Sequence, residues 1–458
     1  MQAVLDYLKQ NQPRFLAEFR DYLRFPSVSA QPQHKKDLQA CAEWLVAHCR
    51  QIGLEAKLCE TKGNPIVLAK TPAAASQGQG ARPRFVVYGH YDVQPPEPLD
   101  LWLSPPFEPR IEGKEIFARG ATDNKGQNFT HLKAVEAYLK TGTPLPCDLT
   151  FLLEGEEEVG SDSLSDFLKE NRRELACEAV VISDTGIPSL THPALTYSLR
   201  GIIAFEITLR GPANDLHSGV FGGAVQNPAM ALAQLLARII DQNGHIAIPG
   251  FYDGVTPLSK FERAQAARYP VTDAQLKKLV GAPRLFGERG FTPTEQRSAR
   301  PTFEINGLTS GYQVEGSKTI VPAWARAKIT CRLVPHQRPA QVRKAVLAYL
   351  KKLCPPTVRM EIKAGHGAEA YYMPPTGPLA QASLRALQAS FGGEPILMRE
   401  GGSIPIVNQF KEILGADSLL LGLGLPDDNS HSPNEKFNLV CFEKGQRMSA
   451  LLWPELTR

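Results

Sequence analysis

Residues 150–161, TFLLEGEEEVGS, set four carboxylates around one glycine: Glu154, Glu156, Glu157 and Glu158. They follow directly on the apolar run 151–153. Acids this close repel one another, and the repulsion grows steeply in a low-dielectric cleft. On an exposed helix such a run would be a solvated face. Behind an apolar strand it needs cations to neutralise it or raised pKa values, and both outcomes mark a site. Other candidate ligands are spread along the chain. His90 and Asp92 close the run RFVVY at 84–88, Asp123 lies in ARGATDNKGQN at 118–128, Asp184 follows the run 179–182, and His431 sits in DDNSHSPNEK. A lone His-x-Asp reads equally well as a surface pair. Two imidazoles with four carboxylates, however, suit two divalent cations sharing a bridging carboxylate. Two metals about 3.5–4 Å apart would ease the loss of a proton from a bridging water and polarise a carbonyl. In an adjacent Glu pair, one acid can ligate while the other stays free as a base.

The elements that must position these groups follow from periodicity. Residues 1–60 read as helices, with Leu5, Leu8, Phe15, Phe19 and Leu23 at helical spacing and a stop at Gly53. Residues 64–69 are apolar, and the Ala/Ser/Gln/Gly-rich stretch 73–82 reads as a flexible loop without chemistry. The apolar runs 84–88, 149–153 and 179–182 each end in candidate ligands, and helical patterns separate them. That is the grammar of a parallel α/β sheet buried on both faces. Such sheets bind ligands beyond the carboxyl ends of their strands. His90, Asp92, Glu157, Glu158 and Asp184 would therefore collect along one edge.

From about residue 199 the pattern changes to β-α-β-β-α-β, which predicts a ferredoxin-like α+β unit. A long helix is expected over 227–241 and a polar insertion over 245–300. Beyond 374 the α/β pattern resumes. The expected organisation is a discontinuous catalytic domain, 1–198 and 365–458, interrupted by an inserted domain, 199–364. At 458 residues the chain is long enough for two or three cores. The net charge of +4, without a Lys/Arg block, argues against nucleic acid or a membrane surface as partner. No apolar run reaches the roughly 18 residues of a membrane span. The first 15 residues, amphipathic and acid-bearing, lack the features of a signal peptide. Eight scattered cysteines without a CxxC pair suit reduced thiols in a cytoplasmic protein.

The motifs in order are GHYDV (89–93), GATDNKG (120–126), EGEEEVGS (154–161), ISD (182–184), DLHSG (215–219), SKTIVP (317–322), RLVP (332–335), REGGSIPI (399–406) and HSPNEK (431–436). Together they resemble the aminoacylase/carnosine-dipeptidase superfamily of di-zinc metallopeptidases, most closely its cytosolic dipeptidase branch. The resemblance implies two divalent metals, zinc foremost, with manganese and cobalt also suited to such oxygen-rich sites. It implies that Asp123 bridges them, that His90 and Asp184 bind one ion, and that Glu158 and His431 bind the other. Glu157 would be the general base, and Asp92 would orient His90. The Asp123–Asn124 peptide would be cis. The inserted domain would act as lid and dimerisation domain, and His217 would reach the partner subunit's site to stabilise an oxyanion. Arg332 would pair with the substrate carboxylate, with Thr319, Gly402 and Ser403 adding hydrogen bonds and Glu400 meeting a free amino group. His34, His48, His131, His192, His245, His336 and His366 match no ligand motif and read as structural or surface residues.

The segment TGIPSLTHPALTY after Asp184 lacks the aromatic residues expected of the nearest dipeptidases, so the amino-terminal specificity is open. The function so implied is hydrolysis of dipeptides or short peptides with a free C-terminal carboxylate, by a metal-bridging hydroxide with a Glu base. A small peptide is the expected substrate, and a homodimer the expected assembly. The alternatives are an N-acyl- or N-carbamoyl-amino-acid amidohydrolase on the same site, or a non-catalytic dimeric peptide-binding relative. The insertion at 245–300 and the SIPI context favour the dipeptidase. The presence of Glu157 and Asp123 speaks against the non-catalytic reading.

Overall fold

The computed structural model describes residues 1–72 and 82–458; residues 73–81 of the stretch read as a flexible loop lie outside the described residues. The chain divides into two compact units. Unit 1 comprises Met1–Tyr197, Met373–Met398 and Ile406–Arg458, and unit 2 comprises Ser198–Tyr372 and Arg399–Pro405.

In unit 1 the strands Asp148–Glu154, Arg84–His90, Ala179–Ile182 and Asp417–Leu420 lie side by side in that order, all parallel. Their residues are almost all buried, because helices cover the sheet. The most enclosed helix is Gly126–Thr141, buried from Gly126 to Tyr138. It packs on the helices Leu439–Leu456 and Gln2–Gln10. Antiparallel strands flank this parallel centre: Ile66–Lys70 pairs with Asp148–Glu154, and Ala194–Leu199 with Asp417–Leu420. Outermost is Glu55–Cys59, paired with Ile66–Lys70, which corrects the all-helical reading of residues 1–60. The helix Lys35–Ile52 ends at Gly53, whose φ of 109° a side chain would disfavour. The following EAKLC is a half-exposed edge strand whose polar–apolar alternation is too short to stand out beside the helical pattern before it.

Unit 2 is a four-stranded antiparallel sheet in the order Thr302–Ser310, Trp324–Leu333, Gly201–Arg210, Arg359–Ala368. The helices Pro228–Leu236 and Pro339–Leu353 close its core around Ile203, Phe205, Ile329 and Val346. This is the expected β-α-β-β-α-β arrangement. The first helix stops at Leu236, however, short of the 241 expected from its apolar pattern. The polar insertion contains three short helices, Lys260–Ala267, Asp273–Val280 and Pro293–Ala299. Each opens with a capping box, built on Ser259 and Glu262, Thr272 and Gln275, and Thr292 and Glu295. Among the described residues no helix is long and apolar enough to cross a membrane.

Candidate metal centre

The parallel strands deliver their ligands to one edge of unit 1. Strand Arg84–His90 ends at His90, in register with Glu154, and Asp184 lies two residues past strand Ala179–Ile182. The turn before helix Gly126–Thr141 supplies Asp123, and the peptide Asp123–Asn124 is cis. Gly89 makes the close approach possible: a Cβ there would lie 2.6 Å from Asn128 Cβ and 2.9 Å from Asn124 Oδ1. Asn128 Nδ2 then donates to the His90 carbonyl at 2.7 Å.

Around Asp123 the geometry is symmetrical. Its Oδ1 lies 3.2 Å from His90 Nε2, and its Oδ2 lies 2.9 Å from His431 Nε2. His90 Nε2 is 3.6 Å from Asp184 Oδ1, and His431 Nε2 is 3.4 Å from Glu158 Oε2. One ligand atom from each of His90, Asp123 and Glu158 fits within 4.8 Å of the others. Asp92 serves two neighbours at once. Its backbone carbonyl meets His90 Nδ1 at 3.0 Å, nearer than its own carboxylate at 3.4 Å. The carboxylate instead accepts the backbone N–H groups of Glu157, at 3.3 Å, and Glu158, at 3.1 Å. It thereby pins the turn that carries the acid pair.

The acid run divides by partner. Glu154 accepts from the Tyr88 hydroxyl and Ser161, and Glu156 accepts from the backbone of Asn64 and Ser163. Only Glu157 and Glu158 remain for the cluster. Burial pushes Glu157 well above the usual carboxylate range, helped by Asp184, Glu158 and Asp123 and opposed by His90. Burial likewise pushes Asp184 up to about 6. Hydrogen bonds to Asp123 and Glu158 raise His431 to about 10. Burial alone would lower His90, but Asp184, Asp123 and Asp92 lift it well above its ordinary value. Protons thus favour Glu157, Asp184 and the two imidazoles, and divalent cations would balance the same charge.

The donor set fits such ions on a second observation. His90 Nε2 and Glu158 Oε1 are both buried and make no hydrogen bond of acceptable geometry. A buried nitrogen 3.2 Å from one carboxylate and 3.6 Å from another, hydrogen-bonded to neither, is arranged to share a cation with them. Nitrogen and oxygen donors of this kind suit zinc, manganese or cobalt.

Three supporting residues escaped the sequence reading. Glu435 is buried and accepts the backbone N–H groups of Gly120 (2.8 Å), Thr122 (2.9 Å) and Asp123 (3.0 Å). It also pairs with Arg119 at 2.8 Å, so it shapes the turn that presents Asp123. Asn124 Nδ2 donates to Asp184 Oδ1 at 2.8 Å and to the Ser183 carbonyl at 2.5 Å. Gln94 Nε2 donates to Glu158 Oε2 at 2.8 Å. Glu435 and Asn124 stood inside quoted motifs, but their polarity alone could not separate support from ligation.

The remaining candidates belong to unit 2 and form two local groups. His217 and Thr319 lie on the short ribbon where Leu216–His217 pairs with Ile320–Val321; His217 is exposed, and Ser218 N–H donates to the Thr319 carbonyl at 3.0 Å. Arg332 Nη1 donates to Ser403 Oγ at 2.7 Å, and the Ser403 hydroxyl in turn donates to the Arg200 carbonyl. Arg200 N–H donates to the Gly402 carbonyl at 3.1 Å. Glu400 ends the strand Ile396–Glu400, one residue ahead of that loop.

Known proteins are similar to this chain over nearly its whole length. The Cys-Gly metallodipeptidase dug1 of Schizosaccharomyces pombe is 29% identical over 459 residues, covering 98% of this chain and 96% of that protein. The crystal structure of human carnosine dipeptidase 1 superimposes with a TM-score of 0.82 at 27% identity, covering 100% of this chain and 98% of that one. The M20 family metallo-carboxypeptidase Sso-CP2 of Sulfolobus solfataricus gives a TM-score of 0.83 at 30% identity, covering 97% and 99%. The family model described as Peptidase family M20/M25/M40 matches residues 86–454, and the chain belongs to that family.

Proposed function

We propose that this chain is a dipeptidase that holds two divalent metal ions, zinc foremost, and cleaves peptides next to a free C-terminal carboxylate. The observation that carries this reading is Asp123, whose two oxygens face two histidines while Glu157 and Glu158 stand beside it. Relatives named as dipeptidases support the substrate class. His90 and Asp184 would hold one ion, Glu158 and His431 the other, and Asp123 both.

When bound, the ions supply Lewis-acid polarisation of the scissile carbonyl and lower the pKa of water. Glu157 takes a proton from the attacking water onto its carboxylate and delivers it to the leaving amine nitrogen. Its enclosure among neighbouring acids favours holding that proton between the two steps. Asp92 fixes the His90 tautomer through its carbonyl and holds Glu157 through its carboxylate. Arg332 receives the substrate's terminal carboxylate, with Thr319, Gly402 and Ser403 adding hydrogen bonds. Glu400 meets the free amino group.

The same reading makes unit 2 the lid and the surface of a homodimer, with His217 donating to the oxyanion in the partner's site, and places the enzyme in the cytoplasm. The exposure of His217 supports a role on another chain. Mixing inactive His217→Ala with inactive Glu157→Gln should restore part of the activity, since mixed dimers would contain one intact site. No recovery would remove the cross-subunit role.

A panel of dipeptides, tripeptides, N-acetyl and N-carbamoyl amino acids, incubated with metal-loaded protein and followed by mass spectrometry, tests the activity. Cleavage of dipeptides is expected. Products from N-acyl or N-carbamoyl substrates alone would transfer the site to an amidohydrolase, and no product with two metals bound would point to a binding protein.

A further inference from the structure

Unit 2 contains a cavity of about 560 Å³ with Leu276 and Phe286 in its wall and three arginines, Arg200, Arg297 and Arg332, around it. Its one lining carboxylate is the exposed Glu304. Other arginines of the same unit are matched with acids: Arg263 with Glu295 at 2.8 Å, Arg300 with Glu288 at 2.8 Å, and Arg399 with Glu262. Among the described residues, none of the three cavity arginines forms an ion pair. Arg200 gives Nε to the Gly401 carbonyl at 3.0 Å and Nη1 to the Arg300 carbonyl at 3.4 Å. Arg332 gives Nη1 to Ser403, and Arg297 lies over the Tyr269 ring at 4.8 Å. Donors on all three guanidinium groups therefore remain available.

Three cations around one cavity, balanced by a single acid, repel one another. Burial, then the charges of Arg332 and Arg297, bring Arg200 down to about 10, with Glu304 opposing. An arriving dianion would relieve this repulsion and find fork-shaped donors. A monoanion would leave a second arginine unmatched.

We propose that this cavity receives a second carboxylate of the substrate, so that the enzyme prefers dipeptides whose C-terminal residue is Asp or Glu. Arg332 takes the α-carboxylate, Arg297 takes the side-chain carboxylate, and Arg200 is a positioning residue that holds the loop Gly401–Ser403. The assignment rests on the dipeptidase reading for the group at Arg332; the second carboxylate at Arg297 is the new element.

The test compares kcat/KM for Ala-Glu and Ala-Gln in the metal-loaded wild type, Arg297→Gln and Arg297→Lys. Alongside, calorimetry measures binding of free glutamate and free glutamine to the same proteins. A charged hydrogen bond predicts a preference of about tenfold or more for Ala-Glu, and for glutamate over glutamine. The ratio should fall to about one in Arg297→Gln and partly survive in Arg297→Lys. Arg297 is exposed, so both variants should fold, and thermal melts would verify it. Equal kcat/KM values in the wild type, or an undiminished ratio in Arg297→Gln, would overturn the assignment and leave dipeptide cleavage standing. Tighter binding of glutamate that depends on Arg297, without cleavage of any dipeptide, would support the cavity and sink the dipeptidase reading.

Discussion

Among the described residues, two places in unit 1 bring an imidazole and two carboxylates close enough to grip one ion. One is His90 with Asp123 and Glu158; the other is His48 with Glu18 and Glu136. In the second, the chain provides its own cation. The fully buried Lys133 ammonium donates to Glu18 at 2.5 Å, to Glu136 at 2.8 Å and to His48 Nε2 at 2.8 Å. The rings of Phe129 and Phe15 lie 4.6 and 5.1 Å from it. Burial, and then Lys133, push His48 down to about 3, so it stays neutral and offers a lone pair to the ammonium. At the sheet edge, no Lys or Arg among the described residues forms an ion pair with Asp123, Glu157, Glu158 or Asp184. Similar residues at similar spacing therefore make a closed internal network in one place and a site in want of cations in the other. Charge balance separates them, not the identity of the ligands.

That contrast can be broken at either end. The largest effect is expected from Glu157→Gln, which keeps shape but cannot take a proton. Turnover should fall by about 10³-fold, while elemental analysis still finds two metals per chain. Loss of metal with the activity would make Glu157 a ligand and not the base. Next comes Lys133→Met, which removes the buried cation and leaves Glu136 and Glu18 to Arg14, at 2.5 and 2.7 Å. Urea denaturation should show a loss of about 1.5–3 kcal/mol, with metal stoichiometry unchanged; a cost near zero would mean the network is not held by Lys133. The smallest effect is expected from Asp92→Asn. Loosening the turn that carries Glu157 and Glu158 should weaken metal binding by about 10- to 100-fold in chelator competition. Unchanged affinity would show that the turn holds its shape without Asp92.

Legibility in the sequence followed the range of the interactions. The parallel centre could be read because three apolar runs each ended in a potential ligand. Every residue of the site-forming run was visible too, but its division of labour came from the motif resemblance and not from the acids themselves. Glu154 and Glu156 are separated from Glu157 and Glu158 only by distant partners, Tyr88 and Asn64. His48 was read as structural or surface, and it is buried against Lys133, which only folding brings alongside. The three helices in the insertion had a local signature, Ser or Thr followed three residues later by Glu or Gln, that composition obscured. Strand Glu55–Cys59 had only a short alternation, which its pairing with Ile66–Lys70 turns into an edge strand.

The grip of Glu435 on the backbone of Asp123 spans 312 positions of sequence. During translation at roughly 5–20 residues per second, Asp123 waits on the order of 15 to 60 seconds for the residue that shapes its turn. His431 emerges only just before it. A nascent chain therefore carries half a centre for most of its synthesis, with its acids exposed to whatever ions surround the ribosome. Metal loading becomes a late event, timed by the arrival of the final helix, and a chain cut short before Glu435 would keep most of its sheet and still lack the means to finish the site.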